Sequence, residues 1–288
     1  MSDRNGFWGF LFVTPAVAFF AVFSIFPIFF GLYLSMTSYD MLSPPLWVGL
    51  GNYAALPDDG LFRKSLWNTA VFVAGSTFPV WAGSLGLALL FDRSFPGRNL
   101  LKVIAFSPVL PPLVVVGIVW KVLLHPNGVI TALAGWFTGQ SEIEWTTGAG
   151  LAPWSMILIN DWATIPFFMV IWLAGLAGIP RDLKEAAQID GAGPLTSFWR
   201  IELPLLRSTA VLVACLSTIN ACQGFIIQYV VSPDKGGPAD STLTLGLLIW
   251  KYGFQYFRMG DAAAVSVVLF AIILAITAIQ LRLGRRRY

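Results

Sequence analysis

Apolar residues in this chain fall into six long, nearly continuous stretches, at approximately 8–34, 66–91, 101–124, 153–176, 208–230 and 262–281. None alternates with a period of two, as a half-buried strand would, and none is confined to one stripe, as on a helix covering a soluble core. Each has the roughly 20 apolar residues that a helix needs to cross about 30 Å of hydrocarbon. The pattern predicts an all-α membrane protein, one transmembrane domain over residues 1–288, with six spans and both termini on the same side. Three polar segments then lie together on one side (35–65, 125–152, 231–261) and two on the other (92–102, 177–207). The first stretch exceeds the about 7 to 15 apolar residues of a secretory signal and lacks a small-residue cleavage site, so it reads as a retained span.

Composition agrees: 57% of the 288 residues are hydrophobic and 11% charged, and the mean hydropathy is +0.73. Ordinary soluble domains carry about a quarter charged residues. The distribution of Lys and Arg then sets the orientation, because cytoplasmic loops retain positive charge. With the N-terminus inside, Arg4, Arg93, Arg98, Lys102, Arg181, Lys184, Arg200, Arg207, Arg282, Arg285, Arg286 and Arg287 are cytoplasmic, leaving Arg63, Lys64, Lys121, Lys235, Lys251 and Arg258 outside. The expected location is the bacterial cytoplasmic (inner) membrane, with both termini in the cytoplasm. The net charge of +3 reports this topology and not a nucleic-acid surface, which needs basic residues clustered on one soluble face.

Trp8, Trp67, Trp120, Trp154, Trp172 and Trp250 fall near span ends, where indoles anchor at the headgroup level. Pro15, Pro27, Pro79, Pro108, Pro111, Pro112 and Pro166 interrupt the spans and free backbone groups that neighbours must satisfy. Cys215 and Cys222 stand seven residues apart, about 10 Å along one helix, too far for a disulfide. With no phosphate-loop motif, one histidine and no nucleophile elbow, neither ATP hydrolysis, a metal centre nor catalysis by this chain is expected.

The second cytoplasmic segment has helix signals of its own. Residues 180–206 read PRDLKEAAQIDGAGPLTSFWRIELPLL. Pro180 suits a helix start, and Leu183, Ala186, Ala187 and Ile189 give an apolar side to a helix that Gly191-Ala192-Gly193-Pro194 breaks near Asp190. A second short helix through Phe198 and Ile201 should end before Pro204, which lacks a backbone donor. The product is an elbow of two helices, rich in small residues that allow close approach by a partner.

Glu185-Ala186-Ala187, Asp190-Gly191-Ala192, Phe198, Ile201 and Leu203-Pro204 resemble, in type and spacing, the EAA motif of permeases from binding-protein-dependent ABC importers. Pro27 and Ser35, Val48-Gly49-Leu50-Gly51-Asn52-Tyr53, Asn68-Thr69, and Gly236-Gly237-Pro238 with Thr242, Phe254 and Gly260 look like the carbohydrate-uptake branch, and within it the MalF or UgpA kind of subunit. The resemblance implies the type I importer (MetI-like) fold and a coupling helix that docks in a cleft of a cytoplasmic ATPase, with Glu185 engaging the ATPase and Gly191 making the tight turn. It further implies a second homologous permease subunit, two ATPase subunits that bind the ATP and Mg, an external solute-binding protein, and transport by alternating access. No cofactor is implied in this chain. The solute expected is a sugar or sugar derivative, the alternative being a glycerol-phosphate-type or other polar solute.

Buried polar groups in spans are expensive and often mark a path. Asn160 and Asp161 lie about eight residues, or 12 Å, into the fourth stretch, and Asn220 and Gln223 at similar depth in the antiparallel fifth, with Ser217 and Gly224 on the Asn220 face. Trp162 and Phe225 stand beside them as flat apolar platforms, so hydroxyl-bonding amides and rings occur together as a sugar site requires. Two readings stand for Asn220 and Gln223, solute contact or interhelical glue. For Asp161 they are a structural pairing or cap and solute contact. An ion-coupled secondary transporter would need intramembrane relays, for which Asp161 is the one candidate, and a non-transporting scaffold would need no coupling loop.

Overall fold

The computed structural model describes residues 2–139 and 142–285, with side chains except at 2–10, 181, 188 and 285. Arg286, Arg287 and Tyr288, and the side chains of Arg4, Trp8, Arg181 and Arg285, lie outside the described residues. Among the described residues, twelve α-helices have six or more residues: α1 (Ser2–Phe20), α2 (Phe26–Leu34), α3 (Gly60–Asp92), α4 (Arg98–Phe106), α5 (Leu113–Leu123), α6 (Val129–Thr138), α7 (Ala152–Ala177), α8 (Arg181–Ile189), α9 (Arg207–Gln223), α10 (Ile226–Val231), α11 (Leu245–Trp250) and α12 (Met259–Arg285). Among the described residues, five segments are long and apolar enough to cross a membrane: Leu11–Leu34, α3, α7, Arg207–Val231 and Met259–Gly284.

The third apolar stretch departs from expectation. Residues 101–124 do not form one straight span: Arg98–Val109 and Leu113–Leu123 meet at 94°. Pro108, Pro111 and Pro112 explain the corner, since Pro112 takes an extended ψ of 142° and prolines cannot donate to the preceding turn. The fifth stretch is also interrupted, because Gly224 (ψ 122°) and Phe225 (φ −147°) leave helical geometry and α10 restarts beyond them.

By contact the chain forms two compact units, Met1–Phe62 with Leu248–Phe270, and Arg63–Leu247 with Ala271–Tyr288. In the first, a two-residue hairpin pairs β1 (Thr37–Ser38) with β2 (Leu46–Trp47). Asn52 donates from its amide to Ser35 O and Thr37 O, both at 2.9 Å, and Tyr53 Oη to Ser35 Oγ at 2.6 Å. Gly260 lies against the same turn, and a Cβ there would fall 2.0 Å from Thr37 O. Tyr252 donates to Asp59, and burial together with that carboxylate pushes its phenol well above the usual range.

The second unit is packed around Trp172, Met156, Leu206 and Val213, all at or below 1% exposure. Trp172 therefore corrects the anchoring expectation: its Nε1 donates to Ser84 Oγ at 3.1 Å and its ring meets Trp81 edge-on. Trp67 and Trp154 remain 70% and 56% exposed. Gly117 lets α5 approach α10, where an added Cβ would meet Val230 Cγ1 at 3.0 Å. Gln280 Nε2 ties α12 to Thr218 Oγ1 at 2.8 Å, and Cys215 and Cys222 are buried free thiols.

Candidate functional site

Polar side chains gather where α7, the end of α9 and the break before α10 meet the proline corner. Asn160, Asn220, Gln223, Phe225 and Gln228 line a cavity of about 210 Å³ with Leu113 of α5. A second, of about 460 Å³, shares Asn220, Gln223 and Leu113 and continues past Thr164 to Pro108 and Pro111. The helix breaks create this space: Gly224 in an extended conformation ends α9 one residue after Gln223, and the 94° corner turns α4 away from α5. No Lys, Arg, Asp or Glu is among the described residues lining either cavity.

The four polar residues singled out from the sequence separate into two kinds. Asn160 and Asp161 are buried, and Ser76 of α3 donates to the Asp161 carboxylate. Asn160 Nδ2 donates to Ser76 Oγ at 3.0 Å and reaches Asp161 Oδ1 at 3.5 Å. Asp161 is thus held in a pairing between α3 and α7. Asn220 and Gln223 are exposed in the isolated chain, and among the described residues neither side chain bonds another span. Trp162, expected beside the amides, lies off both walls: two residues turn a helix by about 200°, so it faces away from Asn160, 45% exposed and edge-on to Trp120 at 5.5 Å. Phe225 is the aromatic wall instead.

Two participants escaped the sequence reading. Ser76, with Thr77 beside it, is a hydroxyl in an apolar run, a signal that a search for polar residues at matching depth would have caught. Gln228 is 1% exposed and its Nε2 has no partner among the described residues, yet it sits in the short helix after the break, whose position no periodicity reveals.

The elbow over residues 180–206 is a second candidate site. After α8, Gly191 adopts φ +78° and Ala192 N–H donates to Ala187 O at 2.9 Å. This is the six-to-one bond of a Schellman cap, for which glycine suits the left-handed position. Glu185, Ala186 and Asp190 are exposed, whereas Ala187 is buried. Ile189, Leu195 and Trp199 are 87%, 72% and 60% exposed, an apolar edge beside the acidic pair. Lys184 Nζ reaches Asp92 Oδ2 at 3.1 Å and Glu202 Oε1 at 3.7 Å, clamping the elbow to the end of α3.

The second helix of the elbow does not stop before Pro204. It starts at Gly193-Pro194, widens into a π-type turn over Phe198–Glu202, and continues through Leu203–Leu205 with Pro204 inside. Leu203 N–H bonds Phe198 O five residues back, and the widened turn accommodates a proline that a regular helix would exclude.

Residues 75–287 match the family described as the binding-protein-dependent transport system inner membrane component. The sulfoquinovosyl glycerol transport system permease protein SmoG of Agrobacterium fabrum is 32% identical, covering 96% of this chain and 90% of that protein. The trehalose/maltose transport system permease protein MalF of Thermococcus litoralis is 30% identical, covering 99% and 96%. Among solved structures, a bacterial alginate ABC transporter aligns with a TM-score of 0.86 at 20% identity, over 98% of this chain and 96% of that one.

Proposed function

Since this chain belongs to the family of binding-protein-dependent transport system inner membrane components, we propose that it is one of two permease subunits of an ATP-driven importer for a neutral sugar or sugar derivative. The observation that carries the solute class is the cavity walled by Asn160, Asn220, Gln223 and Phe225, which offers amide donors and acceptors, an aromatic face and no ionic group. Hydroxyl-rich, uncharged solutes match such a wall. The name of MalF, a trehalose/maltose permease, supports the same class, and that of SmoG supports a sugar, though one bearing an anionic sulfonate.

In this reading Asn220 and Gln223 touch the solute, and Asn160 forms the wall opposite while holding Ser76 and Asp161 in register. Their exposure fits a cavity completed by a second, homologous permease subunit. The cytoplasmic elbow, through Glu185 and the Ile189, Leu195 and Trp199 edge, docks on an ATPase subunit that binds ATP and Mg. Closure of the two ATPases moves the elbows and turns the cavity outward to receive solute from an external binding protein, so that access alternates. The termini are cytoplasmic by the Lys and Arg distribution.

The test is uptake into proteoliposomes holding the complete importer, with the binding protein and ATP. Labelled sugar should accumulate only when ATP and the ATPase are present. Accumulation driven by an ion gradient without ATP would overturn the ATP-driven reading, and uptake of an anionic solute in preference to neutral sugars would overturn the solute class.

A further inference from the structure

Beside the candidate solute cavity, on the other side of Gln228, lies a cleft of about 350 Å³ within the second unit. Among its polar lining residues, Lys64, Gln228 and Ser241 offer donors. Lys64 stands at the rim, exposed, near the start of α3. Gln228 forms the floor at 1% exposure, with an Nε2 that has no hydrogen-bond partner, and the buried Ser241 Oγ is likewise unpaired. A buried amide N–H left without an acceptor is costly, so the site is shaped for something that accepts. None of the described lining residues is acidic.

The rest of the cleft is apolar. Phe72 and Ile157, both buried, continue it along α3 and α7 away from Lys64. Trp67 and Trp154 flank the opening, at corresponding ends of two spans, with exposed indoles that prefer the headgroup level. Gly75 allows this arrangement, since a Cβ there would come within 2.8 Å of Ile157 Cδ1 and 3.4 Å of Trp154 Cζ3. A cation and unpaired donors at one end, two interfacial indoles at the rim and an apolar trough at the other end match a molecule that is anionic at one end and aliphatic at the other.

We propose that this cleft seats an anionic phospholipid, its phosphate against Lys64 and Gln228 and the start of an acyl chain along Phe72 and Ile157. On the topology proposed above, the lipid belongs to the outer leaflet. The same phosphate chemistry could be met by free phosphate, but the apolar trough is of use only to a lipid.

Native mass spectrometry of the full chain in detergent, titrated separately with dioleoylphosphatidylglycerol, dioleoylglycerol and inorganic phosphate, tests this. Phosphatidylglycerol should form a one-to-one adduct; dioleoylglycerol, lacking the phosphate, should bind at least about tenfold more weakly, and phosphate alone should leave no adduct. Lys64→Gln, on an exposed position that leaves folding intact, and Gln228→Leu, which removes the orphan donor, should each weaken the phosphatidylglycerol adduct by about tenfold. Equal binding of the two lipids, tight binding of phosphate alone, or wild-type adducts in both variants would overturn the proposal.

Discussion

Ser76 accepts from Asn160 and donates to Asp161, so one hydroxyl satisfies two buried groups on another helix. Ser76→Ala leaves that carboxylate short of a donor, which should cost about 1 to 3 kcal/mol of stability, seen as a lowered melting temperature in detergent. Asn220 is expected to behave differently because it makes no bond to another span among the described residues. Asn220→Ala should slow uptake several-fold, through loss of about 0.5 to 1.5 kcal/mol of contact with the solute, at an unchanged melting temperature. A melting temperature that falls with uptake would return Asn220 to a packing role. Residue-level signals were legible where polarity is anomalous, as at Asn160, Asp161, Asn220 and Gln223. Trp172 was misplaced because an indole near a span end looks the same whether it faces lipid or a neighbouring helix, and Trp162 because depth along a span does not tell which face a side chain is on.

The elbow after α7 owes its shape to local rules at the level of elements: a left-handed glycine after α8, Pro194 at the start of the next turn, and a π-type turn that absorbs Pro204. Gly191→Leu places a branched side chain at φ +78°, a strain of about 1 to 2 kcal/mol, and should misdirect the elbow. Glu185→Ala alters only an exposed carboxylate. Both variants should insert normally, fail to retain the ATPase in pull-down and lose uptake; retention of both ATPase and uptake would remove the elbow from the coupling path. Lys184 sets the elbow against α3 through Asp92 and Glu202. The broken third span shows the limit of periodicity, which counts apolar residues across Pro108, Pro111 and Pro112 without registering a 94° turn.

For the whole molecule, the expected orientation is open to a direct check. In a background lacking Cys215 and Cys222, Leu42→Cys, at a position 90% exposed on the segment assigned outside, should react with an impermeant thiol reagent in intact cells. Ala186→Cys on the elbow should react only after the membrane is permeabilised. The reverse labelling would invert the topology and place the elbow away from any cytoplasmic ATPase.

Sequence alone determined the class of this protein, because hydrocarbon demands long apolar helices and leaves them plain in the residue order, and because the elbow is specified by neighbours in sequence such as Glu185, Gly191 and Pro204. It also marked Asn52, Asn68, Thr69, Thr242 and Gly260, though not why they matter. Tertiary structure supplied the reasons: Asn52 closes the turn at Ser35 and Thr37, Asn68 Nδ2 bonds Asp240 O at 2.8 Å, Thr69 Oγ1 receives Leu245 N–H at 2.8 Å, and Ser232 pairs with Thr242. Only tertiary structure could decide which faces of the spans enclose space, since a cavity is the gap left by helices distant in sequence. That is why Asn220 and Gln223 come to line a cavity while Asp161, one residue from Asn160, turns inward to Ser76.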